Sequence, residues 1–197
     1  MLFRSEIDSK TGKIQVFLNN GDLTFREAAA ELGLDFQGFA TQTMFLDADR
    51  DGDLDLYLLN QSVHTVRSMG NIDLRNQDDR AAGDKFYENR LIPDGAVRFR
   101  EATSSSGILS SALGYGLGVA SDDLDGDGIT DLYVSNDFHE NDYLYTGDGK
   151  GHFNQVAGQS LKHTSRFSMG NEIADLNNDG RPDIVTLDML QIGRAHV

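Results

Sequence analysis

Residues 47–60 read DADRDGDLDLYLLN. Five aspartates fall within nine residues, and the chain then turns abruptly apolar. Like charges at this density repel one another, so a counter-charge is needed. The pattern recurs twice, as DLDGDGITD from Asp123 and DLNNDGRPD from Asp175. An apolar strand follows each copy (LYLLN, LYVSN, IVTLD). A segment of glycine and aliphatic residues precedes each (GFATQTMFL, GYGLGVASD, FSMGNEIA).

Numbered from its first aspartate, each loop has oxygen-bearing side chains at positions 1, 3 and 5: Asp47, Asp49 and Asp51; Asp123, Asp125 and Asp127; Asp175, Asn177 and Asp179. Position 6 is glycine (Gly52, Gly128, Gly180) and position 9 is aspartate (Asp55, Asp131, Asp183). Alternate side chains on a tight turn converge on one point, and glycine permits the positive φ that folds them inward. The backbone carbonyl of position 7 (Asp53, Ile129, Arg181) is expected to complete the shell. Hard oxygen ligands without sulfur or imidazole select Ca²⁺ over zinc or copper, and suit it better than the smaller Mg²⁺. Up to three calcium sites are expected. The third should be weakest, because Asn177 replaces a carboxylate and Arg181 adds a positive charge. An EF-hand is excluded: position 12 is Leu58, Val134 or Thr186 where a bidentate glutamate is required, and both flanks read as strands.

A second feature keeps pace with the loops. TFREAAAELGL, RFREATSSSGI and HFNQVAGQSLK place Phe25, Phe99 and Phe153 at 22, 24 and 22 residues before each loop. The loops themselves are spaced by 76 and 52 residues, so the longer copy carries an insertion, residues 61–84. Each unit reads strand, acidic loop, strand, connector, strand (FYEN, YLYTG), turn, strand. Four short antiparallel strands in about 50 residues are the signature of a propeller blade. Unrelated turns of a β-sandwich would not share this register.

The chain has 32 acidic and 17 basic residues in 197, a net charge of −15. Segments 47–55, 122–131 and 175–183 carry thirteen of the acids against two bases, Arg50 and Arg181. Charge confined to three segments points to three sites rather than a disordered polyanion. It also argues against nucleic acid or an anionic membrane surface as partner. There is no cysteine, which excludes disulfides and cysteine-based zinc sites. No apolar run approaches the roughly 18 residues of a membrane span, so no membrane insertion is expected.

These loops and their flanks resemble the FG-GAP/VCBS repeat family, whose blades carry D-x-D-x-D-G-x-x-D between their first two strands; the integrin α-subunit propeller is the best-known relative. RFSMGNEIADLNNDGRPDIVTLDML and LNNGDLTFREAAAELGL look closest to bacterial FG-GAP-like proteins with an ASPIC/UnbV module, a group similar to the cartilage acidic protein. The module itself is not visible. The resemblance implies an all-β, partial β-propeller of about three blades of a usual seven, completed by further blades of a longer protein. It divides the chain into a blade remnant 1–34, blades 35–103 and 104–157, and an incomplete blade 158–191. Ile192–Val197 resembles translated sequencing-adapter read-through, so the chain is expected to be a gene fragment in which a signal peptide would not be visible.

In such blades the calcium loops lie on one face. The insertion and the connector 104–116 lie on the other, where ligands of the family usually meet the disc. The expected ligand contacts are His64, Arg67, Arg75 and Arg80, a locally basic group on an acidic protein. The implied function is non-catalytic: a calcium-stabilised adhesion or binding module for a protein or glycan ligand, extracellular, on the cell surface or in a bacterial periplasm. The alternative is a non-catalytic part of a secreted polysaccharide lyase or hydrolase. Catalytic motifs are weak here. His139-Glu140 lacks the second histidine of a zinc protease, and the serines at 104–106 lack a nucleophile-elbow pattern.

Overall fold

The computed structural model describes residues 2–5, 12–62, 72–138 and 140–189. The expected all-β architecture is what it shows: antiparallel meanders laid side by side in chain order. The first sheet comprises β1 (Leu2–Ser5), β2 (Ile14–Asn19) and β3 (Phe25–Glu27). The second is β4 (Ala40–Leu46), β5 (Asp55–Asn60), β6 (Lys85–Asn89) and β7 (Phe99–Glu101). The third repeats it as β8 (Gly116–Asp122), β9 (Asp131–Asn136), β10 (Tyr143–Gly147) and β11 (Phe153–Gln155). A two-stranded sheet, β12 (Ser168–Ala174) with β13 (Asp183–Asp188), follows.

The second strands show why the apolar runs are continuous rather than alternating. Every residue of β5 and β9 is buried. Successive side chains of a strand face opposite ways. Leu56 and Leu58 therefore pack with Val16, Leu32 and Leu34 on the side of the first sheet, while Tyr57 and Leu59 pack with Val119, Leu132 and Val134 of the third. A strand covered on both faces needs apolar residues at every position. In β13 the equivalents of Tyr133 and Ser135 are Val185 and Leu187, and these are exposed.

First strands of consecutive sheets are neighbours, β4 against β8 and β8 against β12. All three carry a register shift at the same place, between Ala40 and Gln42, Gly116 and Gly118, and Ser168 and Gly170. Side chains near these bulges tie the sheets together. The Gln42 amide donates Nε2–H to the Val119 carbonyl and accepts the Val119 N–H on Oε1, both at 3.1 Å. Thr41 Oγ1 donates to the Gly116 carbonyl at 2.8 Å, and Asn171 Nδ2 to the Gly118 carbonyl at 3.0 Å. Gln42→Ala removes both bonds to Val119 and should cost about 1–2 kcal/mol, measured by urea unfolding.

Four one-turn helices were not anticipated. Three of them, α1 (Ala29–Leu32), α3 (Thr103–Ser106) and α4 (Ala157–Ser160), each begin four residues after the recurrent phenylalanine. The fourth, α2 (Leu91–Asp94), lies between β6 and β7. Four residues are too few to display a helical period.

The insertion reaches further into the fold than an irregular loop would. Residues 63–71, including His64 and Arg67, lie outside the described residues. A short 3-10 helix, Ile72–Asn76, follows them. Residues 77–79 then run along the connector between the second and third sheets, with Ala112 N–H donating to the Gln77 carbonyl and Asp79 N–H to that of Ser110. Ala82 and Asp84 are core residues. Both Asp84 carboxylate oxygens accept, from Asn60 N–H at 2.9 Å and Tyr57 O–H at 2.6 Å. Asp142 repeats this arrangement with Asn136 N–H and Tyr133 O–H.

Candidate metal centre

Each acidic loop joins the first strand of its sheet to the second, at the opposite end of β5 and β9 from the insertion and connector. One local hydrogen-bond pattern builds all three loops. Position 5 N–H donates to the position 3 side chain: Asp51 to Asp49, Asp127 to Asp125, Asp179 to Asn177. Position 7 N–H donates to the position 5 carboxylate: Asp53 to Asp51, Ile129 to Asp127, Arg181 to Asp179. These Asx turns wind the backbone tightly around its own side chains.

Two backbone positions per loop take positive φ. Position 6 is glycine at 93°, 81° and 81°. Position 4 does the same with Arg50 at 62°, Gly126 at 82° and Asn178 at 59°. Asparagine and glycine tolerate this region, whereas arginine is strained there. Arg50→Gly should therefore relax the first loop and leave stability unchanged or raised by a few tenths of a kcal/mol, read by thermal denaturation.

The winding brings carboxylates together. Oxygens of Asp47, Asp49 and Asp51 lie within 4.8 Å of one another, as do those of Asp123, Asp125 and Asp127. In the third loop Asp175, Asn177 and Asp179 occupy the same frame of hydrogen bonds, more exposed to solvent.

Position 9 has a role that spacing alone did not reveal. One oxygen of Asp55 accepts from Ala48 N–H at 3.1 Å and the other from Asn89 N–H at 2.8 Å, which ties the loop to the end of β6. Asp131 does the same with Leu124 and Gly147, and Asp183 accepts from Leu176. Each oxygen keeps a second lone pair, so this tie leaves room for ligation. Burial, aided by the charges of Asp49 and Asp53 and opposed by these two amide bonds, pushes the Asp55 carboxyl up to about 7. Burial likewise raises Asp131. Asp49 is raised by burial and then by Asp51, Asp47 and Asp53 around it.

The first two loops differ in one respect. Asp123 Oδ2 accepts from Gly128 N–H, as Asp175 Oδ2 does from Gly180 N–H. Asp47 Oδ1 is buried with no hydrogen-bond partner. An orphaned buried carboxylate oxygen costs free energy unless a cation meets it. An all-oxygen donor set whose first residue carries that orphan fits Ca²⁺.

Residues 123–186 match the family model of the FG-GAP-like repeat. No curated protein matches the chain. FG-GAP repeats are propeller-type and commonly hold calcium, in keeping with the meandering sheets and acidic clusters seen here. The matched repeat starts at the first aspartate of one loop and ends within the strand after the next, so it straddles two sheets. Residues 47–122 form the preceding copy of the same pattern, lengthened by the insertion.

Of the expected ligand contacts, Arg75 is tied elsewhere. Its Nε meets Oε2 of the buried Glu140 at 3.1 Å, bracing the 3-10 helix against the turn before β10. Arg80 is exposed and lines a cavity on the insertion face.

Proposed function

We propose that the chain is part of an extracellular, calcium-stabilised β-propeller that binds a protein or glycan ligand without catalysing a reaction. The buried, unpartnered Oδ1 of Asp47, a member of the converged carboxylate cluster, carries the calcium reading. In this reading Asp47, Asp49 and Asp51 hold the ion with the Asp53 carbonyl, while Asp55 fixes the loop and contributes its remaining lone pairs. The second and third loops repeat the arrangement. The ion neutralises repelling carboxylates at the corner between two strands, so binding free energy adds to folding free energy. Sites of this kind in extracellular modules need only about 10⁻⁴–10⁻³ M affinity. In this reading the chain divides into blades 35–103 and 104–157, flanked by partial ones, a partition that the two four-stranded meanders support. The ligand is assigned to the insertion face, away from the metal.

Thermal denaturation tests the metal. Saturating Ca²⁺ should raise the melting temperature by several degrees over EDTA-treated protein. Asp49→Ala should remove one site from a calorimetric titration. A melting temperature indifferent to Ca²⁺ would sink the assignment. A protein and glycan array tests the binding role, and turnover of a captured glycan would favour an enzyme.

A further inference from the structure

On the insertion face a cavity of about 320 Å³ lies between the second sheet and the connector to the third. Lys85, the first residue of β6, reaches into its wall. The residue is 4% exposed, and its ammonium donates to Ser110 Oγ at 2.9 Å. An ammonium has three N–H donors, and Ser110 is the one acceptor that meets it among the described residues. Burial lowers its pKa, against the opposing pull of the Glu101, Asp84 and Asp79 carboxylates.

The rest of the lining has mixed character. Arg80 brings a second cation, Glu101, Asp78 and Asp79 bring three carboxylates against the two cations, and the buried Ile108 brings an apolar contact. Donors and acceptors of opposite charge in one cavity suit a guest whose groups both donate and accept, which is the property of a hydroxyl. A near balance of charge selects neither a strong anion nor a cation. The volume sits at the small end of the roughly 300–1,000 Å³ range of ligand pockets, which suits a single ring better than a length of polypeptide.

We propose that this cavity binds a neutral sugar ring through its hydroxyls, with the Lys85 ammonium and Arg80 as donors, Glu101 and Asp78 as acceptors, and Ile108 under an apolar face of the ring. The inference rests on the insertion face being the ligand face, and names the glycan rather than the protein as its ligand. Saturation-transfer NMR on the whole chain in calcium buffer tests it, with glucose, galactose, mannose and N-acetylglucosamine as probes. At least one should bind, and Lys85→Met should weaken it at least about tenfold. Because Lys85 is buried and that variant can fail to fold, Glu101→Gln serves as the second variant. Glu101 is exposed, so this change should keep the melting temperature and still lose affinity. Binding unaffected by Glu101→Gln in folded protein would overturn the assignment, as would no binding by any of the four sugars. Binding of inorganic sulfate or glucuronate in their place would make the cavity an anion site and overturn it too. Each of these failures leaves the calcium-dependent shift in melting temperature intact, so the two readings stand or fall separately.

Discussion

Gly107→Ala should destabilise the protein by about 3 kcal/mol or more, whereas Gly95→Ala should cost only about 1 kcal/mol. Both glycines close a one-turn helix in the left-handed region, at φ 79° and 73°. A methyl group on either meets the same backbone strain. At Gly95 nothing lies within 4 Å of the added carbon. At Gly107 it would sit 2.3 Å from the carbonyl oxygen of Phe153, in the outermost strand of the next sheet. Backbone cannot move aside as a flexible side chain can, so the sheets must separate or β11 must shift. Gly33 makes the same approach to the Phe99 carbonyl, at 2.5 Å, one sheet earlier. Urea unfolding of the two variants separates strain from contact; equal losses would show that the close approach does not constrain the packing of neighbouring sheets.

Asp84→Ala should cost about 3 kcal/mol, because it strands the Tyr57 hydroxyl and the Asn60 amide in the core at about 1–3 kcal/mol each. Asp84→Asn should be far milder. An amide can accept from Asn60 and donate to the Tyr57 oxygen, as a protonated acid does. Burial is what holds this carboxyl up to about 7, against the lowering effect of its two hydrogen bonds and of Lys85. The unfolded chain titrates near the ordinary value of 3.8. Between those limits the native state holds a proton that the unfolded state has lost, so stability falls as pH rises. The contribution is complete below about pH 4 and is lost as pH passes through 7. Metal-free protein should therefore melt a few degrees higher at pH 5.5 than at pH 8, and Asp84→Asn should flatten that slope. With Ca²⁺ the slope should reverse, because protons compete with the metal for carboxylates. An identical slope in wild type and Asp84→Asn would remove Asp84 as its source.

The acidic loops and the strands beside them were legible because their signal is both chemical and periodic. Three copies of alternate aspartates with glycine at position 6 leave few alternatives, and the two-sided burial of β5 and β9 explains why LYLLN and LYVSN read as unbroken apolar runs. The buried aspartates were not legible from spacing. Asp84 lies 27 residues after its tyrosine and Asp142 only nine after its own, because the insertion falls between the first pair. Aligning GDKFYEN with ENDYLYTG on the third strands would have exposed them. The left-handed residue at position 4 was hidden by its varied identity: arginine, glycine, asparagine. Gly33 and Gly107 each stand eight residues after the recurrent phenylalanine. That regularity marks a contact between sheets, which no reading of one unit in isolation can supply. Arg75 stands out by its charge in an acidic chain, but its ion pair with Glu140, 65 residues away, has no signature in spacing.

The first acidic loop does not stand alone on its own sheet. The turn between β10 and β11 closes over it: Gly151 N–H donates to the Ala48 carbonyl at 3.1 Å, and Gly149 lies against the Arg50 side chain. A nascent chain emerging from the ribosome therefore carries Asp47, Asp49 and Asp51 uncovered until about one hundred further residues have been made. At roughly 5–20 residues per second, that interval is on the order of ten seconds. During it the loop is held by its own turns and its own sheet alone; once the turn between β10 and β11 arrives, its backbone is pinned at Ala48 to the neighbouring sheet. The geometry thus orders events in time, with the first loop braced only after the third sheet has been made.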